Sequence, residues 1–341
     1  MPLTAVLDRR TFLATGTAAA ATVALTGCTS GSKSPSSSKT LDKVTYMTAF
    51  GNFGREGYVY VANSKGYFRE AGIDVTVVPG SGQTTDVQAL VGGKHQFMAI
   101  DSSQAATLMA GNVKDIRWIG AVHQRTVIAL MALKESGIAR PADLQGKTIG
   151  YGGQAPKLLF GAYSKLAGFD GSKTTWQQVS PQQLPPLLAG KKVNAIGQFV
   201  MGAPLIKGAA GGRDITILPY GDFMADLYGN VLVATQDTLK NKADLTQRFL
   251  GALLKGLSYA VANPDEAGQI VNKAVPTTGA ALAAAELTLM KPYVTASGPT
   301  VGALDPKRIM QTIALMESTQ LIPQGSLTPE AVADFSVAPK V

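Results

Sequence analysis

The chain has 341 residues, 45% of them hydrophobic and only 16% charged, with a formal net charge of +8. The positive excess is scattered singly, with no basic run and no aromatic-interleaved patch, which argues against a nucleic-acid-binding surface. One cysteine and two histidines exclude a disulfide framework and any Cys/His cluster with metal-ligand spacing.

Arg9, Arg10 and Phe12-Leu13 precede an apolar stretch that ends in Leu25-Thr26-Gly27-Cys28. A basic start followed by an Ala/Thr/Val/Leu run too short to span a bilayer reads as an export signal. The R-R-x-F-L order is similar to a twin-arginine signal, and L-T-G-C is similar to a bacterial lipobox. Residues 1–27 are therefore expected to be a signal peptide, and Cys28 the lipidated first residue of the mature chain. Residues 28–42, rich in Ser, Gly and Lys around Pro35, hold too little apolar surface to fold and form a flexible tether. No later apolar run reaches the roughly 18 residues of a membrane span.

From Lys43 onward, short β-branched runs alternate with helical patterns, the signature of an α/β protein with mainly parallel strands. Strands are expected at 44–48, 73–78 and 97–100, with helices at 58–71, 86–91 and 103–109. The pattern restarts with strands at 148–151, 176–179 and 195–199 and helices near 157–167 and 184–188. An internal repeat supports two units: Val87, Leu90, Gly93 and Lys94 recur as Leu184, Leu187, Gly190 and Lys191. Each glycine is expected to end its helix in the left-handed conformation. The expected division is lobe 1 from 43–125 plus 238–341 and lobe 2 from 126–237, with hinges near 123–128 and 228–234.

Ligands of open α/β sheets gather at strand ends, so Asp101-Ser102-Ser103 and Gln198-Phe199 should face each other across a cleft. Gly80, Gly82 and Gln83-Thr84 stand between a strand and a helix start, as do Gly152-Gly153-Gln154. Free amides and the helix dipole there favour acceptor or anionic atoms. Phe50, Phe53, Phe199 and Tyr228 offer stacking faces for a planar ring. With Asn52, Ser81, Ser102 and Gln198 these form the expected ligand-binding set. Arg55 and Arg125 lie near the cleft and are expected on the surface.

The run Gly66-Tyr67-Phe68-Arg69-Glu70-Ala71-Gly72-Ile73-Asp74-Val75, the later Pro79-Gly80-Ser81-Gly82 and the two helix-closing glycine turns resemble solute-binding proteins of ABC importers. The branch resembled is the SsuA/THI5-like, NMT1-like one, for nitrate, sulfonates, taurine and thiamine-pyrimidine precursors. Tyr228-Gly229-Asn230-Val231-Leu232-Val233-Ala234 and the helix through Phe249 to Asn263-Pro264 are similar to its pyrimidine-precursor side. The resemblance covers about Lys43 to Ala274 and is loose after Thr278. It implies a periplasmic-binding-protein-like fold of type II, two α/β lobes joined by two crossover strands. It also implies a monomeric, lipid-anchored extracytoplasmic receptor, without cofactor or catalysis, that closes on a small solute and delivers it to a permease and ATPase. A thiamine-pyrimidine-like heterocycle, a flavin-like ring and a sulfonate- or nitrate-type anion all remain open as solutes.

Three departures qualify the resemblance. Precursor-binding members often carry a histidine where this chain has Phe50-Gly51-Asn52-Phe53-Gly54-Arg55-Glu56. A tryptophan common in the second lobe is replaced near Phe199. Relatives that synthesise the thiamine pyrimidine use a cysteine-rich motif and a consumed histidine, and neither is present.

A rival reading comes from Gly150-Tyr151-Gly152-Gly153-Gln154-Ala155, which fits G-x-G-x-x-A and would make the chain an exported NAD(P)-dependent oxidoreductase. Asp170 has the right spacing from Gly150 but falls in the loop before the next strand, not at that strand's carboxyl end, where ribose recognition needs it. No H-E-x-x-H or G-x-S-x-G motif points to another enzyme class.

Overall fold

The computed structural model describes residues 40–295 and 300–340. The export signal, Cys28 and the tether up to residue 39 lie outside the described residues. Strand β1 (Asp42–Met47) pairs in parallel with β2 (Ile73–Val78), from Asp42↔Ile73 to Met47↔Val78. Between them run α1 (Gly57–Ser64) and α2 (Tyr67–Glu70), expected as one helix but broken at Gly66, whose φ is 79°. Then come α3 (Thr84–Val91), β3 (Phe97–Asp101), α4 (Ser102–Ala110) and β4 (Ile116–Ala121).

The chain next builds a second sheet. Its elements are β5 (Ile128–Leu133), β6 (Thr148–Tyr151), α5 (Ala155–Leu166), β7 (Thr175–Gln178), α6 (Leu184–Ala189), β8 (Ala195–Phe199), α7 (Ala203–Ala209) and β9 (Ile215–Pro219). It returns through β10 (Asn230–Thr235), followed by α8 (Gln236–Asn241), α9 (Ala243–Ala262), α10 (Pro264–Ala274), α11 (Ala280–Val294), α12 (Pro306–Ser318) and α13 (Pro329–Val332).

The sheet orders are β2-β1-β3-β10-β4 and β7-β6-β8-β5-β9. In each, three parallel strands are followed by an antiparallel strand that has just arrived from the other sheet. This exchange makes β5 and β10 the two crossovers. It also corrects the expected lobe boundary: β10 bonds to β3 and β4, so residues 230–237 go with the first lobe and not the second.

The repeat is real but displaced by one residue. Leu90 and Leu188 are the equivalent buried positions, and Gly92 and Gly190 the equivalent helix caps. Gly93 N bonds to Leu90 O at 2.9 Å, as Lys191 N does to Leu188 O at 3.0 Å. The left-handed residue of the second turn is thus Lys191, with φ 54°, and not Gly190.

Helix α9 seals the first sheet. Phe249 stacks on Phe97 at 4.1 Å and on Phe68 at 5.5 Å. Burying such a ring contributes about 2–3 kcal/mol. Helix α11 packs on α9 and α10 of the first lobe and also touches α7 of the second, so the carboxyl-terminal helices help fix the lobes beside the cleft.

Candidate functional site

The cleft begins where β1 ends. Thr48 Oγ1 donates to Gly51 O at 2.6 Å and accepts from Gly80 N at 3.0 Å, fixing the turn that carries Phe50. Phe50 meets Phe199, the last residue of β8, with ring centroids 5.6 Å apart. Between the sheets lies a cavity of ≈ 20 Å³, lined from the first lobe by Ala49, Phe50, Gly82, Asp101, Gln104 and Asn230 and from the second by Gly153, Gln154, Ala155, Pro156, Gly197, Gln198 and Phe199. That is room for about one water molecule. The lobes are in direct contact around it: Gln83 Nε2 donates to Gly152 O at 2.6 Å, Gln154 N to Gly82 O at 3.1 Å, and Gln154 Nε2 to Gln83 Oε1 at 2.6 Å.

Two polar atoms on the cavity wall have no partner. Asp101 caps α4: its Oδ1 accepts from the amides of Ser103 at 3.0 Å and Gln104 at 3.3 Å and from the Ser103 hydroxyl. Its Oδ2 is buried and unbonded. Burial pushes the Asp101 carboxyl up to about 6, against the opposing pull of the Ser103 and Gln104 bonds. Asn230, first residue of β10, donates its amide N–H to His123 Nδ1 at 3.3 Å, while its buried side-chain Oδ1 is unbonded. A buried acceptor without a donor is costly, so both oxygens call for N–H or O–H groups on whatever enters. No lysine or arginine lines the cavity.

The raised Asp101 value has a stability consequence. Its ordinary value is 3.8, so the fold favours the protonated acid. That contribution is complete below the unfolded value and is lost as pH rises through about 6. Asp101→Asn keeps a capping oxygen. It should be more stable than wild type at pH 8 by on the order of 2 kcal/mol, with the gap closing near pH 3. Urea denaturation at both pH values measures it, and an equal gap at each would show that the carboxyl is not the cause.

Of the expected set, Phe50, Gly82, Gly153, Gln154, Gln198 and Phe199 line the cavity. Gln83 and Gly152 form the contact that closes its mouth. Others are placed differently. The amides of Ser81, Gly82 and Gln83 all donate to Asp86 Oδ2, at 2.7, 2.9 and 3.3 Å, so the expected free donors at the start of α3 are already satisfied by that helix's own carboxylate. The Ser81 hydroxyl turns the same way. Ser102 donates to Tyr228 O at 2.6 Å and is fully buried. Tyr228 is a core residue, edge-on to Trp118 at 6.2 Å, with its hydroxyl accepting from Asp305 N at 3.1 Å. Asn52 supports the Phe50 loop by accepting from Tyr60 at 2.9 Å, and Phe53 backs it at 6.0 Å from Phe50. Arg125 is exposed as expected. Arg55 is not: it is 1% exposed and packed among Phe50, Phe53 and Phe199.

The dinucleotide reading finds no support in this geometry. Asp170 is an exposed residue that caps its own turn at Ser172 N, 3.0 Å away. A Cβ on Gly153 would stand 2.9 Å from the Phe50 ring, and one on Gly152 2.9 Å from Pro181, so protein already fills the space over that turn. Gln104 and Asn230 belong to the cavity wall although neither was in the expected set, and Asp101 entered only as part of a strand end. Asp101 and Asn230 stand at the end of the apolar runs Phe-Met-Ala-Ile and Val-Leu-Val-Ala, and that contrast was the available signal; Gln104, inside α4, carried none.

Two lobes of like strand order, exchanging one strand each and meeting at an aromatic cleft, define the periplasmic-binding-protein fold. Solved structures of it superpose well. The alkanesulfonate-binding protein SsuA from Xanthomonas axonopodis pv. citri gives a TM-score of 0.66 at 17% identity, covering 85% of this chain and 97% of that one. The nitrate-binding protein NrtA from Synechocystis PCC 6803 gives 0.67 at 10% identity, covering 87% of each. The chain belongs to the NMT1/THI5-like family, whose profile matches residues 56–267.

Relatives in sequence include a formylaminopyrimidine-binding protein of Halalkalibacterium halodurans, 26% identical over 62% of this chain and 64% of that protein. The riboflavin-binding protein RibY of Chloroflexus aurantiacus is 25% identical over 71% of this chain and 69% of its own length. The alignments thus span about two thirds of each relative. A 4-amino-5-hydroxymethyl-2-methylpyrimidine phosphate synthase of Aspergillus parasiticus is 24% identical over 65% of this chain and 68% of its own. Proteins named for binding and for synthesis both occur among the relatives.

Proposed function

We propose that the chain is a non-catalytic extracytoplasmic receptor that closes on a planar, donor-bearing nitrogen heterocycle of the thiamine-pyrimidine kind and delivers it to an ABC importer. The observation that carries this reading is the pair of unpartnered acceptors, Asp101 Oδ2 and Asn230 Oδ1, in a cavity walled by Phe50 and Phe199. Amino and ring N–H groups satisfy such acceptors, whereas a sulfonate or nitrate brings only further acceptors. Two relatives are named for planar nitrogen heterocycles. A ring sandwiched between Phe50 and Phe199 needs them about 7 Å apart and near parallel, against 5.6 Å and 49° here, so the lobes open and the rings turn to admit it.

Calorimetric titration with 4-amino-5-hydroxymethyl-2-methylpyrimidine and with ethanesulfonate tests the reading. The pyrimidine should bind, the sulfonate should not, and Phe199→Ala should weaken pyrimidine binding by about 1–3 kcal/mol. Binding of the sulfonate alone would overturn it. The membrane attachment rests on the lipobox. Cys28→Ser should release the protein from membranes, and a variant that stays as firmly bound as wild type would refute the anchor.

A further inference from the structure

Arg55 is the only fully buried arginine among the described residues. Its backbone N–H donates to Glu286 Oε2 at 2.9 Å and its Nη1 to Glu286 Oε1 at 3.3 Å. Its Nε and Nη2 are buried with no partner. The guanidinium carbon lies 4.9 Å from the Phe199 ring and 5.7 Å from Phe50, the two aromatic walls of the cavity. A third donor stands within reach of the Arg55 charge. His123 accepts from Asn230 N through Nδ1, which puts its proton on Nε2, and that atom is also buried and unpartnered. Burial, and then the charge of Arg55, push this imidazole down to about 3, so it is neutral and keeps that single proton.

A guanidinium buried only to hold the fold together has its N–H groups satisfied. Here Nε and Nη2 are spare, and they sit beside the ring pair that must part to admit a solute. Glu286 fixes Arg55 to α11, so when Phe199 moves away with the second lobe the guanidinium stays with the first and loses the ring that lies 4.9 Å from it. Arg55 immediately precedes the family match and Glu286 follows it.

We propose that Arg55, seconded by His123 Nε2, is a specificity-determining residue that takes an oxygen-bearing substituent, acyl or carboxylate, of the bound ring. The inference rests on the heterocycle reading above and adds the second half of the solute: donors on the ring for Asp101 and Asn230, an acceptor oxygen on its substituent for Arg55.

The test compares 4-amino-2-methylpyrimidine-5-carboxylate with 4-amino-5-hydroxymethyl-2-methylpyrimidine by calorimetry. Wild type should prefer the carboxylate by about ten-fold or more, the scale of one charge-assisted hydrogen bond. Arg55→Lys, which can still pair with Glu286 but lacks the fork, should remove the preference while keeping hydroxymethyl binding. The double variant Arg55→Gln/Glu286→Gln removes both buried charges together and should do the same without the folding penalty of an unpaired acid. Asp101→Asn should weaken both probes equally and leave the ratio intact. A wild-type ratio near one, or a preference that survives in both Arg55 variants, overturns the inference. If neither pyrimidine binds, the heterocycle reading fails and the same comparison with benzoate against benzyl alcohol decides on Arg55: a benzoate preference that depends on Arg55 upholds it, and no preference overturns it.

Discussion

Glu286→Ala should destabilise the protein by about 3–5 kcal/mol, because it strands the Arg55 guanidinium inside the fold without its ion-pair partner. Both side chains are 1% exposed, so water cannot replace the lost carboxylate. Burial raises the Glu286 carboxyl, and the Arg55 charge together with the Arg55 and Gly54 amides pulls it part of the way back. Glu286→Gln keeps the shape and an acceptor for the Arg55 backbone N–H and should cost less than half as much. Urea denaturation of the three proteins measures the difference, and an alanine variant as stable as wild type would show that Arg55 is compensated elsewhere.

Gly153→Val is expected to separate closure from folding. Its first side-chain carbon would lie 2.9 Å from the Phe50 ring and 3.6 Å from Gly82 Cα, contacts that exist only while the lobes touch. Thermal stability should change little, because the open form gives the side chain room. Affinity for the solute should fall by about 2–3 kcal/mol, on the order of 100-fold, as the closed form is overpacked. Unchanged affinity would mean that the solute is held without this contact between lobes.

The parallel strands and their helices were legible in the sequence, since β2, β6 and β8 show β-branched or apolar runs bounded by glycine or polar turns. The strands β4 and β9 escaped that reading, and so did the crossovers as strands. Ile128–Leu133 is buried at every position and carries no alternation of period two, so its pattern cannot be told from a buried helix segment. At the site, the aromatic walls were legible because Phe50 and Phe199 follow strands. The anion-binding amides were not what they looked like, since Asp86, placed three residues after Gln83, turns back to cap its own helix and consumes them. Arg55 was misplaced for a related reason. Its partner Glu286 comes from a helix far along the chain, and nothing local announces that pairing.

Native mass spectrometry of the protein purified without denaturation tests most directly whether the lobes close on a planar ring bearing hydrogen-bond donors. Released on unfolding, the retained solute should be an amino-substituted aromatic heterocycle, and its mass should be missing from Phe199→Ala and Gly153→Val prepared in the same way. A retained alkanesulfonate or nitrate, or the same heterocycle held equally by both variants, would contradict the account.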